Sequence, residues 1–294
     1  MPNSAQKNPV TSDRSSELVT TFKDQKLHDM MYMFLQNVFR RVPEDRFHTL
    51  LKESAAKFST DREIYEDVQA KFASLRTMTS PFTFDLPALG KQKSVLSGQT
   101  LELLKGRAIN GYAEIGSTGR YISALRKKTR VEGPIYLIND KAPGFGLEDI
   151  FERGGIAKVG SFVSIGDQGP ISREIPDGSL DVVTCYVGLH HVPQDRLPGF
   201  VQSIHRILRK GGVFILRDHR ADTPEMVLFC SAIHTVFNLG TSVPWKTNET
   251  ELRFFNSLAH WSQLLAGAGF KDSGARLYQD HDPSANALMK FEKV

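Results

Sequence analysis

A chain of 294 residues, 40% hydrophobic and 24% charged, has the composition of a soluble globular protein and can build one large α/β domain with an appendage. Its net charge of +4 is a small, scattered excess and not the clustered lysine and arginine of a nucleic-acid-binding surface. The two cysteines have no metal or redox spacing, the first fifteen residues lack an apolar signal segment, and no run approaches the ~20 apolar residues of a membrane helix. These features predict a cytoplasmic protein without a membrane partner.

Residues 1–15 read as a disordered polar tail. Three helical patterns follow and form a helical cap over 16–85. The first runs from about Ser16 to Arg41. The second opens at Pro43, with Glu44 and Asp45 in its first turn. The third opens on Thr60-Asp61-Arg62-Glu63, a capping-box pattern. From residue 86 to 294 a lead-in helix gives way to short apolar runs (111–115, 134–138, 159–165, 180–187 and 212–217) that alternate with amphipathic stretches (120–128, 147–153 and 197–210). Such alternation predicts a parallel sheet with helices on both faces. An aromatic-rich insertion over 219–260 comes after the fifth strand. A helix (258–267) and two further strands (276–279 and 287–291) close the chain. The cluster Arg126-Lys127-Lys128-Thr129-Arg130 reads as a solvated helix C-terminus favoured by the dipole.

The most informative segment is the first strand-to-helix turn, Glu114-Ile115-Gly116-Ser117-Thr118-Gly119. Open parallel sheets bind ligands at the carboxyl ends of strands, where the strand order reverses. A dinucleotide site presents glycine where this chain has Glu114, and a carboxylate repels a pyrophosphate. It attracts a sulfonium and an ammonium. The segment resembles motif I of the class I S-adenosylmethionine-dependent methyltransferases, E/D-x-G-x-G-x-G, with one residue fewer between its glycines.

Further segments fall in the order this resemblance requires. The second strand ends at Asp140, where an acid accepts the ribose hydroxyls, although the same residue suits a turn before Pro143 and Gly144. Asp167 follows the third strand, at the place of the family's adenine-binding acid. Leu180 to His191 is similar to the fourth-strand motif with its His-His ending, and Leu208-Arg209-Lys210-Gly211-Gly212 to the element before the fifth strand. The resemblance implies a Rossmann-like, seven-stranded, mostly parallel sheet with an antiparallel last strand, plus the N-terminal helical extension and the helical insertion after strand five. It implies S-adenosylmethionine as cofactor, held by Glu114, Gly116, Ser117, Gly119, Asp140, Asp167 and Tyr186.

Methyl transfer from a sulfonium is an in-line displacement, and an acidic acceptor also needs a base. Candidates beyond strands four and five are His190, His191, Asp218 and His219, joined by Asp280, His281, Asp282 and Asn286 from the last hairpin. His219 is the preferred base, oriented by Asp218 or Asp282, with His191 as a further catalytic candidate or a structural wall. No ligand spacing demands a metal, although His219, Asp218 and Asp282 would suit a divalent ion. The helical cap and the 219–260 insertion are expected to pack together as a lid around a small organic acceptor, methylated on oxygen or nitrogen. A homodimer is compatible with this organisation. The alternatives are an RNA or protein methyltransferase, which would show an open basic groove, a catalytically silent cofactor-binding module, and a nicotinamide oxidoreductase.

Overall fold

The computed structural model describes residues 16–77, 79–144, 150, 153, 159–166 and 169–294. Four helices come first: α1 (Glu17–Lys23), α2 (Gln25–Asn37), α3 (Glu44–Lys57) and α4 (Asp61–Leu75). The single helix expected over 16–41 is broken at Asp24. That carboxylate accepts from the Leu27 N–H at 3.0 Å and so starts a new helix instead of continuing the old one. The Thr60–Glu63 capping box forms at the start of α4. The neighbouring Asp61 reaches back to cap α1, accepting from the Glu17 and Leu18 N–H groups at 2.9 Å each. One acidic residue thereby ties the first helix to the fourth.

After a wide turn at Pro81–Asp85, α5 (Leu86–Leu104) leads into the sheet. The strands are β1 (Ile109–Ile115), β2 (Val131–Asn139), β3 (Ser161–Ser164), β4 (Leu180–Cys185), β5 (Leu208–His219), β6 (Phe270–Tyr278) and β7 (Asn286–Lys293). Their order across the sheet is β3-β2-β1-β4-β5-β7-β6. The first five run parallel, and β7 lies antiparallel between β5 and β6. The order reverses between β1 and β4, which makes that junction the crevice where parallel sheets bind ligands.

Side chains alternate across the sheet as its period of two requires. Ala113, Ile115, Val183, Cys185, Phe214 and Leu216 face α7 (Leu197–Ile207) and α10 (Leu258–Gly267). Tyr112, Leu137, Val182, Val213 and Ile215 face α5 and the single turn α6 (Ile122–Leu125). That turn is much shorter than the helix expected over 120–128. The helix expected over 147–153 lies largely outside the described residues, as does the tail 1–15. Strand β5 begins at Leu208, before the glycine pair. A bulge against β4 absorbs Gly211 and Gly212, since Leu180 pairs with Leu208 but Val182 already pairs with Val213.

The insertion carries α8 (Pro224–Gly240) and α9 (Trp245–Thr250). Helix α8 has two working faces. Phe229, Ala232, Ile233, Val236 and Leu239 pack into α1–α4, each large side chain contributing about 1.5–3 kcal/mol of burial. Cys230 and His234, one turn apart, lie off that stripe and turn toward the ends of β4 and β5. Among the described residues no helix is long and apolar enough to cross a membrane.

Candidate functional site

Gly116 begins the turn after β1 with φ +77°, and its N–H donates to the Ile138 carbonyl at 2.8 Å. A side chain here would run into Val187, which follows β4, so the turn passes close beneath that residue. Glu114 is fully buried. Its carboxylate accepts from the Tyr121 N–H at 3.1 Å and the Ile122 N–H at 2.7 Å, with the Tyr112 hydroxyl at 3.3 Å. Burial pushes its pKa up, against the hydrogen bonds that favour the charge. The carboxylate therefore holds the turn and the start of α6. Ser117 braces the same turn, its Oγ accepting from the Gly119 and Arg120 N–H groups at 3.2 and 2.9 Å.

The other expected cofactor residues fall in different environments. Asp140 is exposed at the end of β2, beside the turn. Tyr186 is buried, with its hydroxyl 2.7 Å from Thr100 Oγ1 and its ring against Tyr121. It braces α5 from beneath the crevice. Asp167 lies outside the described residues. Val187, 40% exposed, forms the opposite wall over Gly116.

Beyond β4 and β5 the chain gathers four histidines. Gly188, with φ +90°, leaves room for the His190 ring, which any side chain at that position would strike. His190 Nδ1 lies 2.7 Å from Asp218 Oδ1, and both groups are buried. His219 is buried beside them, with Nδ1 2.9 Å from the Ser284 carbonyl. His191 Nδ1 lies 3.0 Å from the Leu252 carbonyl, and His234 Nδ1 2.8 Å from the Cys230 carbonyl. The His190 and His234 Nε2 atoms are 3.2 Å apart. Phe255 closes the chamber against His190, His219 and His234. The segment after α9 is held in place by Arg253, which donates to Glu251, Asn248, Thr235 and the Ser231 carbonyl. The Phe254 N–H in turn donates to the His190 carbonyl at 2.8 Å.

The electrostatics follow from this burial. Desolvation pushes the Asp218 carboxyl up to about 6, and it lowers the pKa values of His190, His219 and His234. At neutral pH this leaves His190, His219 and His234 uncharged beside the Asp218 carboxylate.

Asp218 aims its carboxylate at the His190 ring and touches His219 only through the backbone N–H, at 2.8 Å. Asp282 pairs with Arg217 at 3.4 Å and accepts from the Ser284 N–H and hydroxyl. It therefore fixes the carbonyl that orients His219 without touching the ring. His234 falls within the 219–260 insertion, outside the catalytic candidates that the sequence offers. The signal that singles it out is its place one turn after Cys230, off the apolar stripe of α8.

A family model described as a methyltransferase domain matches residues 163–216. The matched span runs from β3 through β4 and α7 into β5, the half of the sheet that carries the histidine pair. Over that span the chain resembles a methyltransferase domain. An uncharacterised methyltransferase of Synechocystis sp. is 28% identical over 151 residues, which cover 50% of this chain and 65% of that one. The match thus spans less than two thirds of that relative's length. Among solved structures, the CurJ carbon methyltransferase superposes with a TM-score of 0.50 at 12% identity, covering 92% of this chain and 70% of its own, a likeness of fold. A Burkholderia thailandensis 1,6-didemethyltoxoflavin-N1-methyltransferase, solved with 1,6-didemethyltoxoflavin and S-adenosylhomocysteine, gives a TM-score of 0.47 at 14% identity over 81% of this chain and 92% of that one.

Proposed function

We propose that this chain is a class I methyltransferase that moves a methyl group from S-adenosylmethionine to an oxygen or nitrogen of a small organic acceptor. The observation that carries the reading is the juxtaposition of two features at the strand-order reversal. One is a glycine turn braced by buried Glu114. The other is a buried histidine chamber at the ends of the adjacent strands β4 and β5.

The residues fit the donor. Gly116 lets the turn pass close under Val187, exposed Asp140 offers a carboxylate for paired ribose hydroxyls, and Glu114 and Ser117 hold the turn. When bound, the donor supplies a methyl group on a positively charged sulfur. The chain's own part is to align the acceptor and take its proton. His219 is the base: the Ser284 carbonyl accepts from its Nδ1–H and leaves Nε2 free to receive a proton. The Asp218 carboxylate fixes the neighbouring His190 and the His219 backbone. His191, half-buried, lines the chamber.

Residues 16–85 and the 219–260 insertion act as the lid over the 86–294 domain. Their shared apolar core supports a small acceptor over RNA or a protein. Both cysteines are free and buried, which suits a reducing compartment, and we place the reaction in the cytoplasm.

Calorimetry tests the donor: S-adenosylhomocysteine binds and NAD does not, and the reverse result rejects the reading. A methyl-labelled donor incubated with pools of small phenols, carboxylic acids and amines then identifies the acceptor. Label appearing only on RNA or protein would reject a small acceptor.

A further inference from the structure

The four histidines share one feature that proton transfer alone does not require: each ring has its Nδ1 occupied by an oxygen acceptor. The partners are the Asp218 carboxylate for His190, and the carbonyls of Leu252, Ser284 and Cys230 for His191, His219 and His234. Carbonyl and carboxylate oxygens accept, so the Nδ1 atoms donate, and an uncharged imidazole placed this way keeps a bare lone pair on Nε2. At His190 and His234 those lone pairs face each other at 3.2 Å. Two unprotonated nitrogens at that distance repel unless something positive lies between them. A cation bound by both lone pairs removes that repulsion. Two zinc–nitrogen bonds of ~2.05 Å at a tetrahedral angle put the nitrogens about 3.3 Å apart.

His191 supplies a third donor. One ligand nitrogen from each of His190, His191 and His234 lies within 4.8 Å of the others. The His191 ring is half-buried. Outer support is also present. Asp218 Oδ1 behind His190 Nδ1 is the carboxylate–histidine arrangement that orients metal ligands, and it supplies a negative charge to a buried dication. Glu251 adds a carboxylate 3.9 Å from His191 Nδ1. Arg253 and Arg217, the nearby cations, are each paired with a carboxylate, Glu251 and Asp282.

We propose that His190, His191 and His234 form a binding site for a first-row divalent cation of the zinc class, ligated through Nε2. Imidazole donors suit zinc, copper, nickel and iron and disfavour magnesium and calcium. Three protein ligands leave one position open, as in catalytic and not structural zinc sites. This set differs from the His219, Asp218 and Asp282 combination that the sequence suggests. The site stands on these contacts alone and does not depend on methyl transfer.

The test uses the full chain, untagged and stripped with a chelator, then titrated with zinc and, separately, cobalt. The expected result is one equivalent bound, with intense visible cobalt bands of a tetrahedral site displaced by zinc. His234→Gln and His191→Gln should each weaken binding at least about 100-fold, and Asp218→Asn about 10–100-fold. X-ray absorption of the zinc-loaded wild type should give nitrogen ligands at about 2.0–2.1 Å, a readout that holds even if the variants fold poorly. Absence of stoichiometric binding, unchanged affinity in both glutamine variants, or a first shell of sulfur or of oxygen alone would overturn the site. Binding of S-adenosylhomocysteine is measured in parallel. Its loss with zinc binding intact would count against the methyl-transfer reading and leave the metal site standing.

Discussion

Asp218 Oδ1 sits 2.7 Å from His190 Nδ1 with both side chains buried, and the same carboxylate accepts from the Leu189 and His219 N–H groups at 2.8 Å each. Three donors therefore converge on two oxygens. Asparagine offers one oxygen and turns an NH₂ group toward an N–H. Asp218→Asn should cost about 3 kcal/mol of stability in chelator, because it strands a donor in a dry site. Urea unfolding measures this, and a loss below about 0.5 kcal/mol would mean water already reaches the carboxylate.

The role assigned to His219 predicts a separation of effects. Its ring is oriented by the Ser284 carbonyl. His219→Ala should lower turnover by roughly 10²–10⁴-fold, the usual range for a positioned base. The calorimetric affinity for S-adenosylhomocysteine should stay within about threefold. Equal losses in both quantities would make His219 a wall of the donor site and not a base.

Two acidic residues of the donor crevice should fail in different ways. Glu114 is buried and accepts from two backbone N–H groups, whereas Asp140 is exposed. Glu114→Gln should reduce melting temperature and donor affinity together, since one N–H loses its acceptor. Asp140→Ala should weaken S-adenosylhomocysteine binding about tenfold or more and leave melting unchanged within about 1 °C, because surface substitutions away from special contacts move stability little. If Asp140→Ala binds normally, the ribose is held elsewhere.

This contrast also marks what the sequence could convey. The strands, their alternation and the turn at Glu114–Gly119 were legible because apolar period and glycine placement are local properties. At Glu114 the carboxylate spends its bonds on the Tyr121 and Ile122 N–H groups, seven and eight residues on, partners that the sequence does not announce. The histidine chamber was half legible. His190, His191, Asp218 and His219 end neighbouring strands, so topology alone brings them together. His234 arrives from a helix whose position depends on burying Phe229, Ile233 and Val236 against α1–α4, a long-range packing outcome. The ring partners Leu252, Cys230 and Ser284 contribute carbonyls, which no residue type announces.

The end of the sheet makes a prediction about acid. Asp272 on β6 accepts from Arg276, from the Ser262 hydroxyl of α10 at 2.6 Å, and from the Gly274 N–H at 2.8 Å. Partial burial raises its pKa, but the hydrogen bonds from Arg276, Ser262 and the Gly274 N–H outweigh this and bring it down to about 2. The folded value lies below the ordinary 3.8 of the unfolded chain, so the unfolded state takes up the proton first as pH falls. The contribution is full above about pH 4 and is lost between about pH 4 and 2. Asp272→Asn removes the ionisable group but keeps an acceptor for Ser262. The wild type should therefore be the more stable protein at pH 6, and the gap in melting temperature should shrink steadily from pH 4 to pH 2. A gap that stays constant across that window would show that the Arg276 contact is screened by water and that the link between α10 and β6 rests on packing alone.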